Sequence, residues 1–160
     1  MAKRILVAVF SASGVTSAVG KEIARIAHAD FYRIVPKIPY TYSDLNWTNK
    51  QSRTSVEMND PYARPEIDGR VGNMPIYDTV IVGFPIWWGI APRIIETFLE
   101  SYNFGGKTII PFCTSGGSGV GMSDVELHKN VRGDVEWRDG TQINRPNEKE
   151  IREWLDRVIG

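Results

Sequence analysis

Apolar residues follow two rhythms along this chain, and the alternation between them outlines the fold. Short continuous runs, Ile5 to Phe10, Phe31 to Val35, Thr79 to Phe84 and Lys107 to Cys113, read as strands buried on both faces. Longer stretches carry apolar residues at helical spacing. Val19, Ile23, Ile26 and Ala27 mark a helix over Val15 to Ala27, and Ile94, Ile95, Phe98 and Leu99 mark another over Ala91 to Tyr102. Ile151, Trp154, Leu155 and Val158 form the stripe of a last helix capped by Asn147. Pro92 is tolerated in a first helical turn, and Ser123 can cap a short helix reaching Asn130. A short fifth strand is predicted from Asp134 to Trp137, turning at Asp139-Gly140.

Strands alternating with helices imply βαβ units with right-handed crossovers. The pattern fits an α/β three-layer sandwich around a five-stranded parallel sheet in the order 2-1-3-4-5. Its switch point lies between strands one and three, where such sheets bind ligands. Residues 36–76 depart from the rhythm, because one helix would normally serve where about 40 residues stand. Tyr40, Tyr42, Trp47 and Tyr62 make this stretch too aromatic for a disordered linker, and Ser52 to Asn59 can supply one or two helical turns. An ordered excursion beside the ligand edge is expected, within a single domain spanning residues 1–160.

Composition narrows the function. With 19 Lys and Arg against 19 Asp and Glu, the formal net charge is zero. That argues against nucleic acid or an anionic membrane as partner, since either would need a basic excess. No apolar run approaches a membrane span, and no signal-peptide pattern precedes the first strand. Cys113 is the lone cysteine, so no internal disulfide or cysteine metal cluster can form, and a cytoplasmic setting is expected.

Three loops follow buried strands. Ser11, Ala12, Ser13, Gly14, Val15, Thr16 and Ser17 lead from a strand into a helix. Such a turn gathers free backbone N–H groups and a partial positive charge, and suits a phosphate held by neutral dipoles. Pro85, Ile86, Trp87, Trp88 and Gly89 put two adjacent indoles, pointing different ways, at a strand end, which suits a flat ligand. Thr114, Ser115, Gly116, Gly117, Ser118 and Gly119 let backbone approach such a ligand closely. Competing motifs fail. Gly-x-Gly-x-x-Gly and Gly-Lys-Ser/Thr are absent, Val120 stands where a nucleophile elbow needs glycine, and no metal-ligand cluster appears. His28 and His128 read as surface or structural residues.

In this order and on these strands, the three loops resemble those of flavodoxins. The match extends to a group sharing Pro85 to Gly89, Thr114 to Gly119 and an Asp-Leu-Asn-Trp insertion, here Asp44 to Trp47. The resemblance implies a flavodoxin-like fold that binds FMN non-covalently and moves electrons through it. By the same resemblance, Ser11, Ser13, Gly14, Val15, Thr16 and Ser17 would hold the phosphate. Pro85 to Gly89 and Thr114 to Gly119 would hold the isoalloxazine ring.

Two features depart from the family. The third loop has no aromatic residue to cover the outer ring face, which leaves Tyr42, Trp47 or Trp137 as candidate covers. The acidic surface common among flavodoxins is missing too. Two readings therefore stand: an electron carrier exchanging electrons with a redox partner protein or a small donor or acceptor, and an NAD(P)H-dependent quinone or azo-type reductase. A phosphoacceptor receiver domain of the same topology is set aside, since Phe84-Pro85 occupies the place of its aspartate.

Overall fold

The computed structural model describes residues 4–114, 127–128, 131 and 133–159. Strand β1 (Ile5–Val9) leads into α1 (Val15–Ala27), and the chain returns as β2 (Asp30–Arg33). The excursion that follows contains β3 (Val35–Pro36), α2 (Arg53–Asn59), β4 (Ile67–Asp68) and a 3₁₀ turn (Met74–Ile76). Then come β5 (Thr79–Pro85), α3 (Arg93–Glu100), β6 (Thr108–Thr114), β7 (Glu136–Trp137), β8 (Thr141–Gln142) and α4 (Glu148–Val158). The helix expected from Ser123 to Asn130, apart from Leu127 and His128, lies outside the described residues, as does the stretch Ser115 to Gly119.

The main sheet runs β2-β1-β5-β6-β7, all parallel, with β8 also paired to β6. Alternation along β1 divides the core. Leu6, Ala8 and Phe10 join the cluster under α3, while Ile5, Val7 and Val9 join the one under α1 and α4. The layers and strand order are those read from the sequence.

The fifth strand position differs from expectation. It is filled by two short strands, β7 and β8, so Asp139-Gly140 is an interruption rather than a turn. The cause lies in β6. Lys107, Ile109 and Cys113 direct their carbonyls to this edge, accepting from Glu136, Arg138 and Ile143 at 3.0, 3.1 and 2.8 Å. Pro111 has the same phase and no N–H to give, so the ladder cannot run through it. Gly140 lies against it, where a Cβ would stand 2.6 Å from the Pro111 carbonyl oxygen.

Residues 36–76 are ordered by contacts far apart in sequence. Strands β3 and β4 pair antiparallel and close the base of the excursion. Helix α2 is capped by Ser52, whose Oγ accepts from the Ser55 N–H. From α3, the Arg93 guanidinium donates to the carbonyls of Glu57 and Met58 at the end of α2, and pairs with Glu96 at 2.9 Å. Arg64 reaches back to Glu96 at 3.2 Å and Glu100 at 3.0 Å. Helix α3 begins at Arg93 because Pro92 is its N-cap, two residues later than Ala91.

Candidate functional site

The carboxyl ends of β1, β5 and β6 lie side by side, so the three loops leave from one edge. Phe10 N donates to the Gly83 carbonyl at 3.0 Å, and Ile86 N to the Thr114 carbonyl at 3.2 Å. The sheet's connections go to opposite faces at β1 and β5, which opens a crevice between them.

On one side of that crevice stands the start of α1. Gly14 is its N-cap at φ 96°, a left-handed conformation that only glycine adopts without strain, and no side chain caps the helix. The Ser11 hydroxyl accepts from Gly14 N at 3.0 Å and shapes the turn. The first helical bond runs from Ala18 N to the Gly14 carbonyl, which leaves the amides of Val15, Thr16 and Ser17 without an acceptor among the described residues. Three free donors at the positive end of a helix, with the Ser13 and Ser17 hydroxyls beside them and no cation, match a phosphate ester. Thr16 is buried, and its Oγ1 lies 2.6 Å from Thr114 Oγ1. That bond ties the first loop to the end of β6 as well as placing a hydroxyl near the helix start.

Beside the helix start, Ala12, Ser13, Leu45, Trp47, Thr54, Pro85, Ile86, Trp87 and Trp88 enclose a mostly apolar cavity of about 360 Å³. The two adjacent indoles take different roles. Trp87 packs edge-on against Phe10 and Tyr40, with ring centroids 5.6 and 5.5 Å apart, and belongs to the core as well as to the cavity wall. Trp88 is 47 % exposed. It sits with Gly89 at the tip of a two-residue hairpin turn closed by Trp87 N to Ile90 O at 2.9 Å and Ile90 N to Trp87 O at 3.1 Å. Both tip residues have positive φ, 52° for Trp88 and 79° for Gly89, the pattern of a type I′ turn. Glycine takes this freely, whereas an indole-bearing residue does so at a cost of about 1–2 kcal/mol.

Behind Trp87, the Tyr40 hydroxyl donates to the Glu57 carboxylate, and Arg53 lies over the Tyr40 ring at 3.8 Å. Burial first, then that carboxylate, push the Tyr40 hydroxyl well above the usual tyrosine range. Cys113, one residue before Thr114, is fully buried, and burial raises its thiol to about 12. It is a packing residue that holds its proton at neutral pH.

The residues read from the sequence therefore fall into four groups. Ser13, Pro85, Ile86, Trp87 and Trp88 border the cavity, while Ser11, Gly14, Val15, Thr16 and Ser17 build the adjoining helix start. Gly89 forms the turn and Thr114 links to Thr16, whereas Ser115, Gly116, Gly117, Ser118 and Gly119 lie outside the described residues. Of the three candidate covers, Trp47 borders the cavity. Tyr42 points to solvent at 94 % exposure, and Trp137 packs against His128, with centroids 4.0 Å apart. Leu45 and Thr54 also line the cavity; Leu45 belongs to the Asp44 to Trp47 motif without being assigned to the site, and Thr54 carries no sequence signal for it. Each is an ordinary residue brought there by the fold of the excursion.

A family model described as flavodoxin matches residues 4–158. The crystal structure of a Bacteroides eggerthii protein, provisionally described as a flavoprotein, is 48 % identical. It aligns over 98 % of each chain with a TM-score of 0.93. A Bacteroides uniformis protein of the same description is 43 % identical over 98 % of this chain and 99 % of that one, with a TM-score of 0.91. A flavoprotein from Lactobacillus acidophilus, solved in complex with FMN, shares the fold. Its identity is 20 %, with coverage of 95 % and 98 % and a TM-score of 0.69. No curated protein matches the chain in sequence.

Proposed function

The chain belongs to the flavodoxin family, and on that premise we propose that it binds FMN non-covalently and serves as an electron-transfer protein. The observation that carries this reading is the adjacency of an uncapped helix start to an apolar cavity walled by indoles. A molecule with a phosphate at one end and a flat ring at the other satisfies both at once. FMN supplies the redox chemistry when bound, and the chain supplies binding, orientation and exclusion of water.

Each residue group then has a task. The amides of Val15, Thr16 and Ser17 and the Ser11, Ser13, Thr16 and Ser17 hydroxyls hold the phosphate, and Gly14 makes room for it. Pro85, Ile86, Trp87, Trp88 and Gly89 hold the ring, and the family resemblance assigns Thr114 to Gly119, the loop after β6, to the ring as well. Trp87, wedged by Phe10 and Tyr40, is a fixed wall. Trp88, exposed at its turn, offers a face for stacking.

Zero net charge keeps a second reading in play, that of an NAD(P)H-dependent reductase of quinones or azo compounds. Among the described residues, no helix is long and apolar enough to cross a membrane. The test is to purify the protein with its flavin, record the absorbance spectrum, and follow NADH and NADPH oxidation with a quinone acceptor. A flavin spectrum with negligible turnover, and turnover restored by an added flavodoxin reductase, supports the carrier. Rapid turnover by the protein alone overturns it in favour of the reductase, and a protein that neither carries nor takes up flavin overturns both.

A further inference from the structure

The excursion places a tryptophan at the cavity that the two sheet-edge loops do not account for. Trp47 lies 40 residues before Trp87 in sequence, yet both border the same cavity, together with Leu45 and Thr54 from its own segment. Its indole is 72 % exposed. Single exposed aromatics are ordinary on protein surfaces. This one differs because its backbone is held firmly on both sides.

Before Trp47, Thr41 and Asp44 cap each other. Thr41 N donates to Asp44 Oδ2 at 2.9 Å, and Asp44 N donates to Thr41 Oγ1 at 3.1 Å. The Asp44 carbonyl then accepts from Thr54 Oγ1 at 2.7 Å and from Thr54 N at 3.1 Å, which fastens the turn to α2. After Trp47, the Asn46 side chain accepts from Thr48 N, and the Asn49 carbonyl accepts from Ser55 Oγ at 2.8 Å. Helix α2 is in turn gripped by Arg93, so the chain of support runs from the sheet's own helix to this turn. A rigid mount holding an exposed indole at the mouth of an apolar cavity is a preformed stacking surface, whose ordering cost is met in folding rather than in binding.

We infer that Trp47 is a ring-stacking residue of this site, covering the bound flavin ring from the excursion where the third loop offers no aromatic. The inference rests on the FMN-binding reading and extends it to a segment outside the three loops. Its consequence is positional. A ring covered by Trp47 has less face open to a flat substrate, which favours electron exchange at the ring's edge.

The test uses the full-length protein freed of flavin and titrated with FMN by fluorescence and calorimetry. Trp47→Leu should weaken FMN binding by roughly tenfold to a hundredfold, the range for loss of one aromatic stacking partner. Trp47→Phe should keep most of the affinity. Tyr42→Leu, at a still more exposed aromatic of the same segment that lies away from the cavity, should bind as the unmodified protein does. Melting temperatures of all three flavin-free variants should match the parent, since neither side chain is part of the core. Unchanged affinity in Trp47→Leu overturns the inference and leaves the FMN reading standing. An equal loss in Tyr42→Leu overturns it too, by assigning the effect to the segment as a whole. Absence of FMN binding by the unmodified protein overturns both.

Discussion

The loop after β1 and the long excursion between β2 and β5 border the same cavity, and they are held in place by different physics. Near the phosphate-type donors, the turn itself is built locally. Gly14 turns the chain, Ser11 closes the turn three residues back, and the helix start follows directly. In the excursion, local turns are fastened to the body by contacts far apart in sequence. Its order depends on Arg93 and Glu96 from α3 and on Arg64, which pairs with Glu96 and Glu100 more than 30 positions away. The first region leaves backbone donors free, and the second spends buried ion pairs and hydrogen bonds on fixing its own course. A helix start that keeps free donors is organised for a ligand, and a segment tied down by such contacts is organised for shape.

The sharpest way to break that contrast is to cut the excursion loose. Arg93 and Glu96 are 5 % and 3 % exposed, and removing the Arg93 guanidinium breaks this buried pair and takes the donor from the Glu57 and Met58 carbonyls at the end of α2. Arg93→Met is expected to cost about 3–5 kcal/mol in denaturant-monitored stability, with amide exchange rising first across α2. A loss below about 1 kcal/mol would mean that the ion pairs decorate a segment ordered by other contacts.

A smaller effect is expected where the two loops of the sheet edge meet. Thr16→Val leaves the buried Thr114 hydroxyl without its partner and should destabilise the flavin-free protein by about 1–3 kcal/mol. It should also weaken FMN binding more than riboflavin binding. Equal losses for the two ligands would place the Thr16 hydroxyl in a structural role only.

Smaller again is the strain at Trp88. Trp88→Asn puts a residue suited to the first tip position of a type I′ turn where an indole now sits at φ 52°. The flavin-free protein should gain about 1 kcal/mol in stability while FMN affinity falls. A variant that is both more stable and equally good at binding would show that Trp88 has no part in holding the ring. Least of all, Ser52→Ala should remove the cap of α2 at about 1 kcal/mol or below, with FMN affinity changed only as far as α2 supports the cavity wall.

The same contrast explains what could be read from the sequence. The local region was fully legible. β1 was seen from its unbroken apolar run, α1 was placed at its observed bounds, and the strand order followed from the alternation of elements. The fifth strand was read as one piece because the residue that breaks it, Pro111, belongs to its neighbour, and no inspection of residues 134–142 reveals that. Aromatic content is what sets residues 36–76 apart from a linker in the sequence. Their course is not legible there, because it is set by ion pairs between segments the chain brings together only once folded. Thr54 escapes sequence reading for the same reason, while Leu45 and Trp47 share the Asp44 to Trp47 motif, and Trp47 stands out there as a large aromatic in search of a surface to cover.

The central claim is that free amides at the start of α1 hold the phosphate of a flavin whose ring fills the cavity beside them. Calorimetric titration of the flavin-free protein with FMN and with riboflavin tests it most directly, because the two ligands share the ring and differ in the phosphate. Charge-assisted hydrogen bonds are worth about 1.5–3 kcal/mol each, so two or more of them should make FMN bind at least about a hundredfold more tightly than riboflavin. Equal affinities for the two ligands, or no saturable binding of either, would contradict the account.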